Sequence, residues 1–285
     1  MKITKTSVCV LFVAFVIGYA SVPPPATKQI VPDEISHGVP KVLPVVAAQP
    51  PGKPETTREN VDWKEEDDSK LKIKLLETGE GFHGDQVHAK SGETWLGLFK
   101  EKDKYYLRRA KLIVRRVHDE IVDDSPNIKT GKSVAVAGAG QAIFLLKNAK
   151  MLVAGEVKTV FDSSLQEDSE ELKNGYGKDF EFNGEVYNLR VENKISREEY
   201  LGKGSKLILS RSGKEQILNY LPEGCNDCFW YLYWGGDLDG DGKLDFYFDL
   251  SPHYNVTDRK LFLSSPAAGE EKLVKYVANF FTNGC

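Results

Sequence analysis

The chain has 285 residues, of which 41% are hydrophobic and 28% charged, with a formal net charge of -4. Such a balance suits a chain that buries a core, and it excludes both a wholly disordered polymer and a strongly basic protein built for nucleic acid.

The first residues, Met1-Lys2-Ile3-Thr4-Lys5, form a short basic region followed by an apolar run over 8–19 and the small pair Ala20-Ser21. That three-part layout predicts a secretory signal peptide over residues 1–20. The run falls short of the roughly 20 residues a membrane-crossing helix needs. The chain is therefore expected to be exported, to the periplasm or the extracellular space, with no stable membrane span after cleavage. Residues 21–70 are rich in proline and charge and close on Lys64-Glu65-Glu66-Asp67-Asp68. So little apolar surface cannot offset the entropy of ordering, which predicts a disordered leader; Trp63 is its one candidate for a docking contact, and an isolated exposed aromatic is the ordinary alternative.

From residue 71 the pattern changes to short runs rich in Val, Ile, Leu, Phe and Tyr, separated by Gly, Asn, Asp and Ser. Composition and alternation predict strands at 71–76, 105–107, 111–118, 133–136, 142–146, 157–161, 180–182, 186–191, 206–210, 216–220, 229–234, 244–250 and 260–263. Many short strands at this spacing predict a mainly β fold, an antiparallel sandwich or barrel, over a β-rich region 71–285 that suits one large unit or two small ones. One helix is expected at the carboxyl end, where Leu273, Val274, Val277, Phe280 and Phe281 fall on one helical face and Glu270 and Glu271 lie in the first turns. Residues 167–173 offer a weaker helical pattern.

Several side-chain groups read as structural. Arg108, Arg109, Lys111, Arg115 and Arg116 alternate with apolar residues and are answered by Asp119 and Glu120, which predicts a solvated strand face and no nucleic-acid partner. His83 and His88 are five apart, which does not match the zinc spacing of a helix, so satisfied or solvated imidazoles are expected. Of the four cysteines, Cys9 lies in the signal segment. The remaining Cys225, Cys228 and Cys285 predict a disulfide from Cys225 or Cys228 to Cys285, with Cys225 to Cys228 as the alternative.

The most specific pattern is Asp237-Leu238-Asp239-Gly240-Asp241-Gly242-Lys243-Leu244-Asp245. It places carboxylates at positions 1, 3, 5 and 9 of one loop, with glycine at position 6. Hard dications take six to eight oxygen ligands at roughly 2.3 to 2.6 Å, and alternate aspartates in a sharp turn converge on one point. The expected ligands for a calcium ion (Ca2+) are the side chains of Asp237, Asp239, Asp241 and Asp245 and the carbonyl of Lys243. Position 12 is Phe248 where a helix-loop-helix sensor carries glutamate. Phe229 to Trp234 and Leu244 to Leu250 read as strands, so the site is expected at the tip of a β-hairpin, with Asp249 as an additional candidate ligand.

The DxDxDGxxD spacing resembles the calcium hairpins of FG-GAP and VCBS type and, over the loop alone, those of EF-hand and dockerin proteins. The flanks Trp234-Gly235-Gly236 and Asp249-Leu250-Ser251-Pro252, with Gly92-Glu93-Thr94-Trp95, resemble uncharacterised exported bacterial proteins. That second resemblance implies no activity. The expectation is an exported β-rich protein with one structural calcium ion. The alternatives are a binding module that presents the aromatic strand 229–234 to a protein or polysaccharide, or a calcium-supported hydrolase.

Overall fold

The computed structural model describes residues 63–64, 66–138, 140–163, 170–194, 200–225, 227–269 and 271–284. All belong to one compact unit, Glu59–Cys285. The expected signal peptide and most of the expected leader lie outside the described residues.

Within the unit the regular secondary structure is almost entirely strand. In order come β1 (Lys74–Leu76), β2 (Gly79–Phe82), β3 (Thr94–Glu101), β4 (Lys104–Val117), β5 (Gly131–Val136), β6 (Phe144–Lys147), β7 (Gly155–Asp162) and β8 (Glu170–Glu171). There follow β9 (Gly177–Phe182), β10 (Glu185–Glu192), β11 (Lys206–Arg211), β12 (Lys214–Tyr220), β13 (Phe229–Asp237), β14 (Asp245–Ser251), β15 (Val256–Leu263) and β16 (Lys275–Asn283). The large sheet runs β1-β6-β3-β4-β7-β13-β14-β15-β16, with β5 paired to the outer half of β4, β2 to β5 and β8 to β13. Its first and last strands, β1 and β16, lie against one another, so the sheet curls into a nearly closed barrel. Strands β9 to β12 form a separate antiparallel sheet in the order β12-β11-β10-β9.

Two apolar cores result. One is enclosed by the curled sheet and holds Leu98, Leu107, Phe144, Trp234, Tyr247, Leu261 and Ala278. The other lies between the four-stranded sheet and the outer face of β13 to β15, and holds Leu189, Leu207, Leu209, Trp230, Leu232, Phe246, Phe248 and Phe262. Strand β14 is the wall between them: every residue from Asp245 to Ser251 is buried. A bulge between Leu232 and Trp234 lets β13 serve both cores, sending Trp230 and Leu232 to one and Trp234 to the other. In the run 229–234, Trp230, Leu232 and Trp234 are fully buried, while Phe229, Tyr231 and Tyr233 form a row of neighbouring rings, centroids 6.4 and 6.2 Å apart, with Phe229 exposed and the two tyrosines half-buried.

A buried polar clamp ties the first strand to this wall. Glu77, just after β1, accepts hydrogen bonds from Tyr247 Oη at 2.6 Å and from Arg259 Nε at 3.0 Å. Arg259 also donates to Asp249 and lies over the Tyr233 ring. Ahead of β1, Asp68 accepts from Tyr276 Oη at 2.8 Å and Asn279 Nδ2 at 2.9 Å, so the last residues of the expected leader contact β16. Trp63 meets the Tyr220 ring edge to face at 5.9 Å.

The carboxyl end corrects an expectation: it forms strand β16 where a helix was expected. Tyr276 faces the second core, while Val277, Ala278 and Phe280 face the first, so this segment needs two apolar faces and a helix would bury only one stripe. Its pairing with β15 also supplies the backbone partners that a helix would have provided internally. Residues 170 and 171 of the weaker helical candidate form the short strand β8. No described helix is long and apolar enough to cross a membrane.

The cysteine expectation is corrected as well. The pair within bonding distance is Cys225 with Cys228, Cα atoms 5.7 Å apart, at the entry to β13; Cys285 lies outside the described residues. So local a bridge restricts the unfolded chain little. On loop-closure entropy, the double substitution Cys225→Ser, Cys228→Ser is expected to cost about 2 kcal/mol in urea denaturation, against about 4 kcal/mol for a bridge closing some sixty residues. A loss at the larger figure would contradict the local pairing.

Candidate metal centre

The hairpin from β13 to β14 is the element that carries the acidic loop. Gly240 and Gly242 have φ of 75° and 84°, a left-handed backbone that side chains resist, and they turn the chain so that alternate aspartates face inward. Asp237 is the last residue of β13 and Asp245 the first of β14. Each of Asp237, Asp239 and Asp245 offers one carboxylate oxygen within 4.8 Å of the others. Two ligands on opposite sides of an ion at about 2.4 Å stand about 4.8 Å apart, so this spacing fits a shared hard cation.

The three carboxylates differ in how they are held. Asp245 is fully buried and gathers donors from two directions: Leu238 N at 2.7 Å and Asp239 N at 3.3 Å on Oδ2, and Ser264 N at 2.7 Å and Ser264 Oγ at 3.0 Å on Oδ1. It organises the loop while lying within reach of the same point. Asp239 accepts from Asp241 N at 3.3 Å and from Ser265 N at 3.2 Å. Asp237 accepts from Gly242 N at 3.1 Å on Oδ2, whereas its Oδ1 is buried with no hydrogen-bond partner. A desolvated carboxylate oxygen without a donor is an open ligand position.

Electrostatics follow from this crowding. Burial pushes the Asp245 carboxyl well above the usual carboxylate range, and the neighbouring Asp239 charge adds to the shift. Burial likewise raises Asp237; backbone hydrogen bonds from Gly242 and Gly240 oppose the rise, and the charges of Asp239 and Asp241 add to it. The loop thus holds negative charge that its own peptide groups answer only in part.

Two of the expected ligands stand apart from this group. The Asp241 carboxylate accepts from Ser264 Oγ at 2.9 Å and Lys243 N at 2.9 Å, and it faces Lys243 Nζ at 3.5 Å. Lys243 enters the described contacts through its backbone N–H and its ammonium group. Asp249, the additional candidate, is bound to Arg259 and accepts from Ser251 N at 3.1 Å, and so serves the polar clamp.

Residues that the loop pattern did not reveal complete the site. Ser264 and Ser265, at the corner after β15, donate to Asp239, Asp241 and Asp245. Asn183, in the β9–β10 turn, donates to the Gly242 carbonyl at 2.8 Å and joins the hairpin to the other sheet. Replacing Ser264 by alanine removes a hydroxyl shared by two carboxylates, and a loss of about 1–3 kcal/mol is expected in urea denaturation. A loss below about 0.5 kcal/mol would show that the backbone N–H alone holds Asp245. No protein-family model, curated protein or solved structure matches this chain.

Proposed function

We propose that this is an exported β-rich protein whose Asp237–Asp245 hairpin binds one calcium ion, in the manner of the FG-GAP and VCBS loops that its spacing resembles. The observation that carries the reading is the buried, donorless Oδ1 of Asp237 beside the carboxylates of Asp239 and Asp245. An ion there neutralises charge the fold has gathered. It also joins β13, β14 and the corner after β15, which supports a structural role. Export bears on affinity, since extracellular calcium fills sites with dissociation constants of roughly 0.1 to 1 mM.

Differential scanning calorimetry of the full chain tests the reading. At 10 mM calcium, mass action over that range of constants gives about 1.4–2.7 kcal/mol of stabilisation, or a rise in Tm of about 3–10 °C over excess chelator. Asp237→Asn is expected to abolish most of the rise. An identical Tm with and without chelator would rule out the proposal.

The dependence on pH has a definite sign. In the ion-free protein the raised carboxyls of Asp237 and Asp245 favour protonation, so their contribution to stability is fully present below about pH 4 and lost as pH rises through their folded values. Calcium requires the ionised forms and offsets that loss. The calcium-dependent rise in Tm is therefore expected to be small at pH 4.5 and to grow towards pH 7.5. A rise that shrinks with increasing pH would contradict the assignment of these two ligands.

A further inference from the structure

Away from the acidic hairpin, the β2–β3 connection, the β4–β5 turn and the start of β5 enclose a cleft of about 550 Å³ lined by His83, Asp85, Arg116, Asp119, Val122 and Lys132, among others. Close backbone approaches build it. A side chain at Gly84 would run into the Thr130 carbonyl oxygen, and one at Gly131 would come within 3.2 Å of Asp119 Cβ and the Val117 carbonyl oxygen.

One wall is a fixed imidazole. Asp119 is 3% exposed and accepts from the backbone N–H groups of Ile121 at 3.2 Å and Val122 at 3.3 Å on Oδ1, while its Oδ2 lies 2.6 Å from His83 Nδ1. The hydrogen bond from His83 holds the Asp119 carboxyl below the usual range. An ionised carboxylate only accepts, so Nδ1 carries the proton and Nε2 is the nitrogen left for the cleft.

The other wall is cationic. Arg116 and Lys132 are directly opposed partners across β4 and β5, an arrangement in which like charges repel. Among the described residues no carboxylate pairs with the side chain of either. Lys132 Nζ donates to the Val87 carbonyl at 2.7 Å, and Arg116 has no hydrogen-bond or ion-pair partner among the described residues. Asp119 is committed to His83, which leaves Asp85 as the other carboxylate of the lining.

We propose that this cleft binds a phosphate group, as free phosphate or as a phosphomonoester, with Arg116 and Lys132 supplying charge and His83, held by Asp119 at Nδ1, donating from Nε2–H in its imidazolium form. A planar guanidinium fork and a point-charge ammonium from adjacent strands suit a tetrahedral oxyanion. The test is isothermal titration of the full chain, without added calcium and at constant ionic strength, with inorganic phosphate and with phenyl phosphate. One saturable site is expected. Tighter binding of phenyl phosphate assigns the site to a phosphomonoester, and equal or weaker binding assigns it to the free ion. Arg116→Ala, at an exposed position, is expected to weaken binding about tenfold with Tm unchanged. Asp85→Asn is expected to tighten it about threefold by removing an opposing charge. No saturation with either probe by about 20 mM, or affinity unaffected by Arg116→Ala, would overturn the proposal. So would equal weakening by both substitutions, which would mark a general disturbance of the cleft.

Discussion

Strand β14 has no solvent face, and the rest of the structure is arranged around that constraint. Phe246, Phe248 and Leu250 fill one core and Tyr247 enters the other, so the strand is packed from both sides. Its polar residues must then find partners inside the protein, because an unmatched buried charge costs more than the fold gains from a hydrogen bond. Asp245 finds them in Leu238, Asp239 and Ser264, and Asp249 in Ser251, Asp258 and Arg259. The shape of the acidic loop follows from the first of these sets. Asp245 fixes the backbone of Leu238 and Asp239, and this brings the Asp239 carboxylate beside those of Asp237 and Asp245.

The same constraint explains why the hairpin reaches beyond its own turn. Ser264 and Ser265 approach from the end of β15 and Asn183 from the other sheet, so the loop touches both layers of the fold. An ion there would act at the junction of two cores, where loosening the hairpin would uncover apolar surface on both sides of β14. The Arg116–Lys132 pair poses a similar question with opposite sign. In both places the chain holds like charges together on a rigid sheet, and in both the neighbouring peptide groups answer the charge incompletely.

Much of this was legible in the residues themselves. Runs of β-branched and aromatic residues announced most strands, and the spacing of aspartates and glycines announced a turn with converging carboxylates. Strand β3 escaped notice because Gly97 interrupts its apolar pattern; its Cβ space is taken by Phe99 and Leu145, so glycine is there for close packing. The carboxyl-terminal segment misled because Val277 and Phe280 suit a helical stripe and a strand face equally well, and only the two-core arrangement decides between them. Arg116 lies exposed on the strand face that alternation predicted, but its pairing with Lys132 cannot be known before strand register is. Ser264 and Ser265 carried no local signal, because their contact with the loop is made by the path of β15. Asp241 occupies its position in the pattern, and its carboxylate accepts from Ser264 Oγ and Lys243 N, contacts that spacing alone does not give.

The proposed calcium ion lies among the carboxylates of Asp237, Asp239 and Asp245. Isothermal titration of the intact chain with calcium measures this most directly. One ion per chain is expected, with a dissociation constant of roughly 0.1 to 1 mM, lost when Asp237 is replaced by asparagine. Absence of saturable binding, or binding that survives that replacement unchanged, would contradict it.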